Sequence, residues 1–182
     1  MEKVILVTGP ARSGKSEWAE ILAMNSGMSV VYIATAQQNP DDQEWLLRIQ
    51  KHCARRPVDW QTLEVPVDLV GRLQTANPHT CFLVDSLGTW VANLLLFEEQ
   101  DWENTVRDLL DTVQQAPLKI IFVAEETGWG VVPAYPIGRT FRDRLGNLVR
   151  RLGAIADIVY LVTGGYVLNL THLGEPLPPT NP

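Results

Sequence analysis

Eight residues near the N-terminus constrain this chain more than any others. Gly9-Pro10-Ala11-Arg12-Ser13-Gly14-Lys15-Ser16 fits G-x-x-x-x-G-K-S and follows the continuous apolar run Val4-Ile5-Leu6-Val7. Such a run suits a strand buried on both faces. Beyond the loop, Trp18, Ala19, Leu22 and Ala23 share the buried side of an expected helix. Strand, loop and helix form the context in which this pattern cradles phosphate: backbone N–H groups make a concave anion site, and the helix N-terminus adds positive potential. Gly9 and Gly14 allow the turn and the close approach of an anion. Lys15 places a charge on the β- and γ-phosphates, and the Ser16 hydroxyl joins a Mg²⁺ shell. A chance match in a turn arises in roughly 1% or fewer of chains this long, from ordinary residue usage.

The rest of the chain alternates strands and helices. Strands are expected at Ser29–Ala34, Cys81–Asp85, Leu118–Ala124 and Asp157–Val162, with a last one at Tyr166–Leu170 after Gly164-Gly165. Pro40 and the acidic pair Asp41-Asp42 open a helix that carries Trp45, Ile49 and Cys53 on one stripe and ends at Pro57. Val67, Val70 and Leu73 mark a short amphipathic segment. Leu87–Phe97 reads as a core helix, and Trp102, Val106, Leu109, Leu110 and Val113 mark another. A glycine-rich loop, Glu125–Pro136, leads to a helix with Ile137, Phe141, Leu145, Leu148 and Leu152 inward. Short links between alternating elements predict an α/β fold around a mainly parallel sheet, with ligands at the C-terminal strand ends. One catalytic domain is expected over residues 1–170, followed by a proline-rich tail, 171–182, with four prolines in its last seven residues.

Composition narrows the function classes. At 46% apolar and 20% charged residues the chain is globular, and 182 residues suffice for a core without staples. A net charge of −6 argues against a nucleic-acid backbone binder. Two cysteines, Cys53 and Cys81, are too few for a disulfide framework or a four-cysteine zinc site. No apolar run approaches the ~20 residues of a membrane span, and no signal peptide is visible. A cytoplasmic protein is the expectation.

Two further residues carry chemistry. Asp85 ends a buried strand, where a carboxylate completes a Mg²⁺ site beside a phosphate loop; a plain strand-end or helix-capping role is the alternative. His52 lies with Arg48, Arg55 and Arg56 at helical spacing. Neutral imidazole is a nucleophile toward phosphorus, and guanidinium groups hold phosphate oxygens; a solvated basic helix end explains the same residues. His79 and His172 receive no role.

Taken in order, these motifs resemble the bifunctional adenosylcobinamide kinase/adenosylcobinamide-phosphate guanylyltransferase family, from Val4 to about Leu170. The carriers are the Gly9–Ser16 loop, Tyr32-Ile33-Ala34-Thr35-Ala36, Arg48-Ile49-x-x-His52-x-x-x-Arg56-Pro57 and Trp60-x-Thr62-x-Glu64. Leu83-Val84-Asp85-Ser86-Leu87, Trp90, Asn93-Leu94-Leu95, Glu126-x-Gly128-x-Gly130-Val131-Val132-Pro133, Phe141-Arg142-Asp143 and Ala156-Asp157 complete the set. The resemblance implies a P-loop NTPase with a RecA-like sheet flanked by helices, and a homo-oligomer, typically a trimer. It implies phosphorylation of adenosylcobinamide by ATP or GTP with Mg²⁺. GMP then passes from GTP, through a guanylylated histidine, to the phosphate just made. His52 takes the nucleophile's position and Lys15 assists. Guanine-nucleotide contacts carry over onto Gly9, Pro10, Ala11, Arg12, Ser13, Gly14, Lys15 and Ser16. They also carry over onto Ala34, Thr35, Ala36, Cys53, Ala54, Arg55, Arg56, Glu64 and Asp85, with Ser16 and Asp85 on the metal. Asp85 and Glu64 are both candidates for the kinase base. Partners are small molecules only, with no nucleic acid. Pro10, which lacks an N–H, replaces a common second loop glycine; Glu125 replaces a common Asn; Gly138 replaces a small residue with a side chain; and Lys51-His52 replaces the histidine pair of some members. A single-step small-molecule kinase, a RecA-like ATPase or GTPase switch and an inactive nucleotide-binding module are the competing expectations.

Overall fold

The computed structural model describes residues 2–37, 56–75 and 77–178. Seven strands form one sheet: β1 Val4–Gly9, β2 Ser29–Ala34, β3 Gln61–Glu64, β4 Thr80–Asp85, β5 Lys119–Glu125, β6 Ile158–Thr163 and β7 Tyr166–Asn169. Their order is β3-β2-β4-β5-β1-β6-β7, and every pairing is parallel except β6 with β7. The fold is the expected α/β type, a mainly parallel sheet flanked by helices with the phosphate loop between β1 and the helix that follows it. β5 lies between the strand that enters the loop and the strand that ends in Asp85, so the ends of all three meet at one edge.

Residues of β1 alternate between two cores. Val4 and Leu6 face a large apolar layer with Phe82, Trp90, Trp102, Phe122 and Leu148, while Ile5 and Val7 face a smaller one with Ala19, Ala23, Leu83 and Val123. The smaller layer is closed by α1, Lys15–Met24, whose fully buried Ala19 and Ala23 let the helix lie close to the sheet. Trp18 and Leu22, expected inward, are only half-buried; Trp18 meets Tyr160 edge-on at 5.5 Å between ring centroids. The larger layer is closed by α2 Leu69–Gln74, α3 Leu87–Asn93, α4 Glu99–Gln115 and α5 Pro136–Ile155.

Several expected elements shift. β3 carries no apolar run and has one half-buried side chain, Leu63, so nothing in its pattern announced a strand; it exists because β2 offers an open edge. The helix expected from Val67 begins at Leu69, because the Asp68 side chain caps it by accepting from the Gly71 N–H at 2.9 Å. Val67 is exposed, and Leu69 and Leu73 are the buried pair. The core helix stops at Asn93 rather than Phe97, because Arg144 occupies its end: the guanidinium donates to the carbonyls of Leu94, Leu95 and Phe97 at 3.2, 3.3 and 2.8 Å. Ile137 is exposed, since α5 has 20 residues while strands have at most seven, and its first turn overhangs the sheet. Gly164 and Gly165, both at positive φ, make the two-residue hairpin between β6 and β7. β7 ends at Asn169, and α6 Leu170–Leu173 straddles the boundary drawn at residue 170; Thr171 Oγ1 accepts from the Val159 N–H at 2.8 Å. The helix expected over Asp41–Arg56 lies outside the described residues apart from Arg56.

Candidate active site

Parallel pairing brings the chemically suggestive residues to one edge. Ala34 lies in register with Glu64 on one side and Asp85 on the other, and Gly9 lies in register with Glu125. The phosphate loop leaves β1 at Gly9 and enters α1 at Lys15. Gly14 stands at φ 94° and Arg12 at φ 57°, the left-handed bends that wrap the loop. Gly9 is required for space as well: a Cβ there would meet the backbone carbonyl of Val162 and lie 2.7 Å from Ser13 Oγ.

Lys15 is buried, and its Nζ donates across the loop to the Pro10 carbonyl at 3.3 Å. The same carbonyl accepts from the Ser13 N–H at 3.3 Å. Pro10 thus serves the loop as an acceptor, a role the ring leaves untouched. Ser13 Oγ is buried and has no hydrogen-bond partner among the described residues. Ala11 and Arg12 are exposed at the loop crest, and Ser16 is half-buried at the start of α1.

Asp85 is half-buried, and its Oδ2 accepts from the Tyr32 hydroxyl at 2.8 Å. Burial first, and the Asp85 charge second, push the Tyr32 phenol far above its ordinary value, so it stays a donor. Arg56 stacks on the other side of this pair, its guanidinium carbon 3.3 Å from the Tyr32 ring centroid. Its Nε is buried without a partner among the described residues, and Nη1 lies 3.4 Å from Thr62 Oγ1. The sequence places Tyr32 in a strand and in the Tyr32–Ala36 motif; its reach to Asp85 comes from its place two residues before Ala34 on the same face as Asp85, which only the register reveals.

The turn after β4 is built around Thr35. Its side chain is fully buried: Oγ1 donates to the Ser86 carbonyl at 2.7 Å and accepts from the Ser86 N–H at 3.0 Å. Asn93 Nδ2 donates to the carbonyls of Thr35 and Pro66 at 2.8 and 2.9 Å. Thr35 therefore acts as scaffold for Ala34, Ala36 and Asp85, with its hydroxyl already engaged. Ser86 caps α3, and Glu125 supports the same end by accepting from the Gly88 N–H at 2.9 Å. Glu126, one residue further, is tied to the loop strand: its N–H donates to the Gly9 carbonyl at 2.9 Å, and Oε1 accepts from Thr8 Oγ1 at 2.6 Å.

His52, Cys53, Ala54 and Arg55 lie outside the described residues. Glu64 is exposed at the end of β3. Among the described residues no cluster of three or more His, Cys, Asp or Glu side chains could hold a metal. A hydroxyl on Ser16 and a carboxylate on Asp85 are nonetheless hard oxygen donors of the kind Mg²⁺ takes one or two of, the remainder being phosphate and water. No helix among those residues is long and apolar enough to cross a membrane.

Comparison with known proteins adds the chemistry. Residues 5–170 match the model of the family described as cobinamide kinase / cobinamide phosphate guanyltransferase. The bifunctional adenosylcobalamin biosynthesis protein CobP of Pseudomonas aeruginosa is 42% identical over 94% of this chain and 98% of its own. The corresponding protein CobU of Salmonella typhimurium is 38% identical over 89% of this chain and 96% of its own. Among solved structures, a Pyrococcus horikoshii OT3 protein aligns over 92% of this chain and 85% of its own with a TM-score of 0.53 at 11% identity, a likeness of fold alone.

Proposed function

The chain belongs to the cobinamide kinase / cobinamide phosphate guanyltransferase family, and on that premise we propose that it carries out two successive transfers in cobalamin biosynthesis. It phosphorylates the aminopropanol hydroxyl of adenosylcobinamide with ATP or GTP. It then moves GMP from GTP to the phosphate so formed, releasing pyrophosphate and giving adenosylcobinamide-GDP. The observation that carries this reading is the shared strand-end row of phosphate loop and Asp85 in a chain matched to the family over residues 5–170.

In the first transfer the loop N–H groups and Lys15 hold the triphosphate and stabilise charge that builds on it, so catalysis is mainly positioning and electrostatics. Ser16 and Asp85 would hold Mg²⁺, which would supply charge neutralisation on the phosphates, and Tyr32 orients Asp85 by its hydrogen bond. In the second transfer a neutral His52 ring nitrogen attacks the α-phosphorus of GTP, the bond to the β-phosphate oxygen breaks, and pyrophosphate leaves with the electron pair. The acceptor phosphate then displaces the imidazole and takes GMP. Arg55 and Arg56 bind phosphate oxygens and disfavour the imidazolium. Ala34, Thr35, Ala36, Cys53, Ala54 and Glu64 complete the guanine-nucleotide site. Residues 1–170 form the catalytic unit, with 171–182 as a tail, and the active species is a cytoplasmic homotrimer.

The test is mass spectrometry after incubation with GTP and Mg²⁺. Wild type gains one GMP at His52 as an acid-labile, alkali-stable adduct. His52→Ala gains none, keeps phosphorylating adenosylcobinamide and loses GMP transfer. Equal labelling of the alanine variant removes His52 from the mechanism, and phosphorylation without any adduct in wild type reduces the protein to a single-step kinase.

A further inference from the structure

Between the end of β5 with its following loop and the face of α5 lies a cleft of about 510 Å³. Its charged lining is Glu125, Glu126, Arg142, Asp143 and Arg150, and Asn147 adds an amide. Glu125 is committed to the N-terminus of α3 through the Gly88 N–H. Glu126 has one carboxylate oxygen on Thr8 and no second side-chain partner among the described residues, while its backbone holds the first residue of the phosphate loop. The group is thus anchored one residue from the cradle with an oxygen to spare.

Across the cleft Arg142 donates through Nη2 to the Gly128 carbonyl at 2.7 Å. Its Nη1 is shut off from solvent and has no partner among the described residues. Arg142 lines the cleft and keeps donor capacity beyond its Gly128 bond, which an oxygen of a bound ligand can take up. The loop that supplies Thr127 and Gly128 to the cleft goes on to expose Trp129, Val131 and Val132.

We infer that this cleft is the acceptor site. It receives the amide-linked alcohol arm of the corrinoid, with Glu126 as the base of the phosphorylation step and Arg142 donating to an oxygen of that arm. The inference rests on the function proposed above and assigns its acceptor half. The hydroxyl oxygen forms the new bond to the γ-phosphorus, and the bond from that phosphorus to the bridging oxygen breaks. The nucleoside diphosphate leaves with the electron pair, and the hydroxyl proton passes to Glu126, which releases it to water. Glu126 replaces Asp85 and Glu64 as the candidate base because it lines the cleft and neither of those does, Glu64 standing on the edge strand β3.

The test uses the full chain with adenosylcobinamide, ATP and Mg²⁺, following cobinamide phosphate by chromatography. Glu126→Gln keeps an oxygen for Thr8 but is not a base. It lowers kcat for phosphorylation by about 100-fold or more, with nucleotide affinity, read by titration with a fluorescent nucleotide, within about twofold of wild type. Arg142→Ala raises KM for adenosylcobinamide about tenfold, as expected for one charge-assisted contact, again without change in nucleotide affinity. Turnover of Glu126→Gln within a few-fold of wild type overturns the assignment of the base. Loss of nucleotide affinity in parallel with kcat reduces Glu126 to a support of the loop. An unchanged acceptor KM in Arg142→Ala overturns the acceptor site. A wild type that phosphorylates no cobinamide overturns the proposed function itself, and this assignment with it.

Discussion

Tyr32→Phe isolates the contact that holds Asp85 in place at the end of β4. The substitution removes only the hydroxyl that donates to Asp85 Oδ2 at 2.8 Å; the ring remains, so the Arg56 guanidinium keeps its platform. A hydrogen bond to a charged group contributes about 1.5–3 kcal/mol net. Asp85 is half-buried, and water reaches the freed oxygen, so the lower end, about 1.5 kcal/mol, applies. With an unfolding entropy of roughly 2.1 cal/mol/K per residue, the loss lowers Tm by about 4 °C in a chain this long. The functional effect is separate. Asp85 loses the partner that fixes its rotamer, and groups that orient metal ligands are worth about 10–100-fold in metal affinity; the half-saturating Mg²⁺ concentration for phosphorylation therefore rises about tenfold. Thermal unfolding and a Mg²⁺ titration of the initial rate measure both. A variant with unchanged Tm and an unchanged Mg²⁺ curve refutes the role of Tyr32 as a support of Asp85.

Two further outcomes concern stability. Arg144→Ala strips partners from the carbonyls of Leu94, Leu95 and Phe97 and from Glu99, and removes the cation lying 5.1 Å from the Trp102 ring centroid; it costs about 3 kcal/mol in urea unfolding, and a loss below about 1 kcal/mol contradicts its capping role. Asp157 accepts from the Lys3 and Val4 N–H groups at 2.7 and 2.8 Å, and these bonds, Val4 foremost, hold its carboxyl below the ordinary value. A depressed folded-state pKa adds stability that is present above the unfolded value of about 3.9 and is lost as pH falls through the folded one. Asp157→Asn therefore lowers Tm at pH 7, and the gap to wild type narrows as pH drops below about 4; a gap independent of pH rules out the charge as its source.

Much of the site was legible because its signals are local. The glycines, Lys15 and Ser16 occupy fixed offsets between an apolar strand and a helix, and Asp85 closes a buried run. The Glu125-Glu126 pair was visible as two acids at the end of a strand, Glu125 being the last residue of β5, yet nothing in the sequence told which one supports a helix end and which one is tied to β1. Arg142 and Arg144 are two residues apart on one helix. One lines the cleft and the other terminates α3, a difference set by what packs against each face.

From its sequence alone this chain determined a phosphate loop, a mainly parallel sheet and a family, since strand burial, turn chemistry and motif spacing are encoded over stretches of a few residues. Tertiary structure alone decided where β3 pairs, where α3 stops, that Tyr32 serves Asp85, and that Arg142 lines a cleft. Those outcomes depend on contacts between residues far apart in the chain, Tyr32 with Asp85 and Arg144 with Leu94. The first forms only once parallel register has brought strand ends to a common edge, and the second only once two helices have packed on the same face of the sheet, neither of which a local pattern specifies.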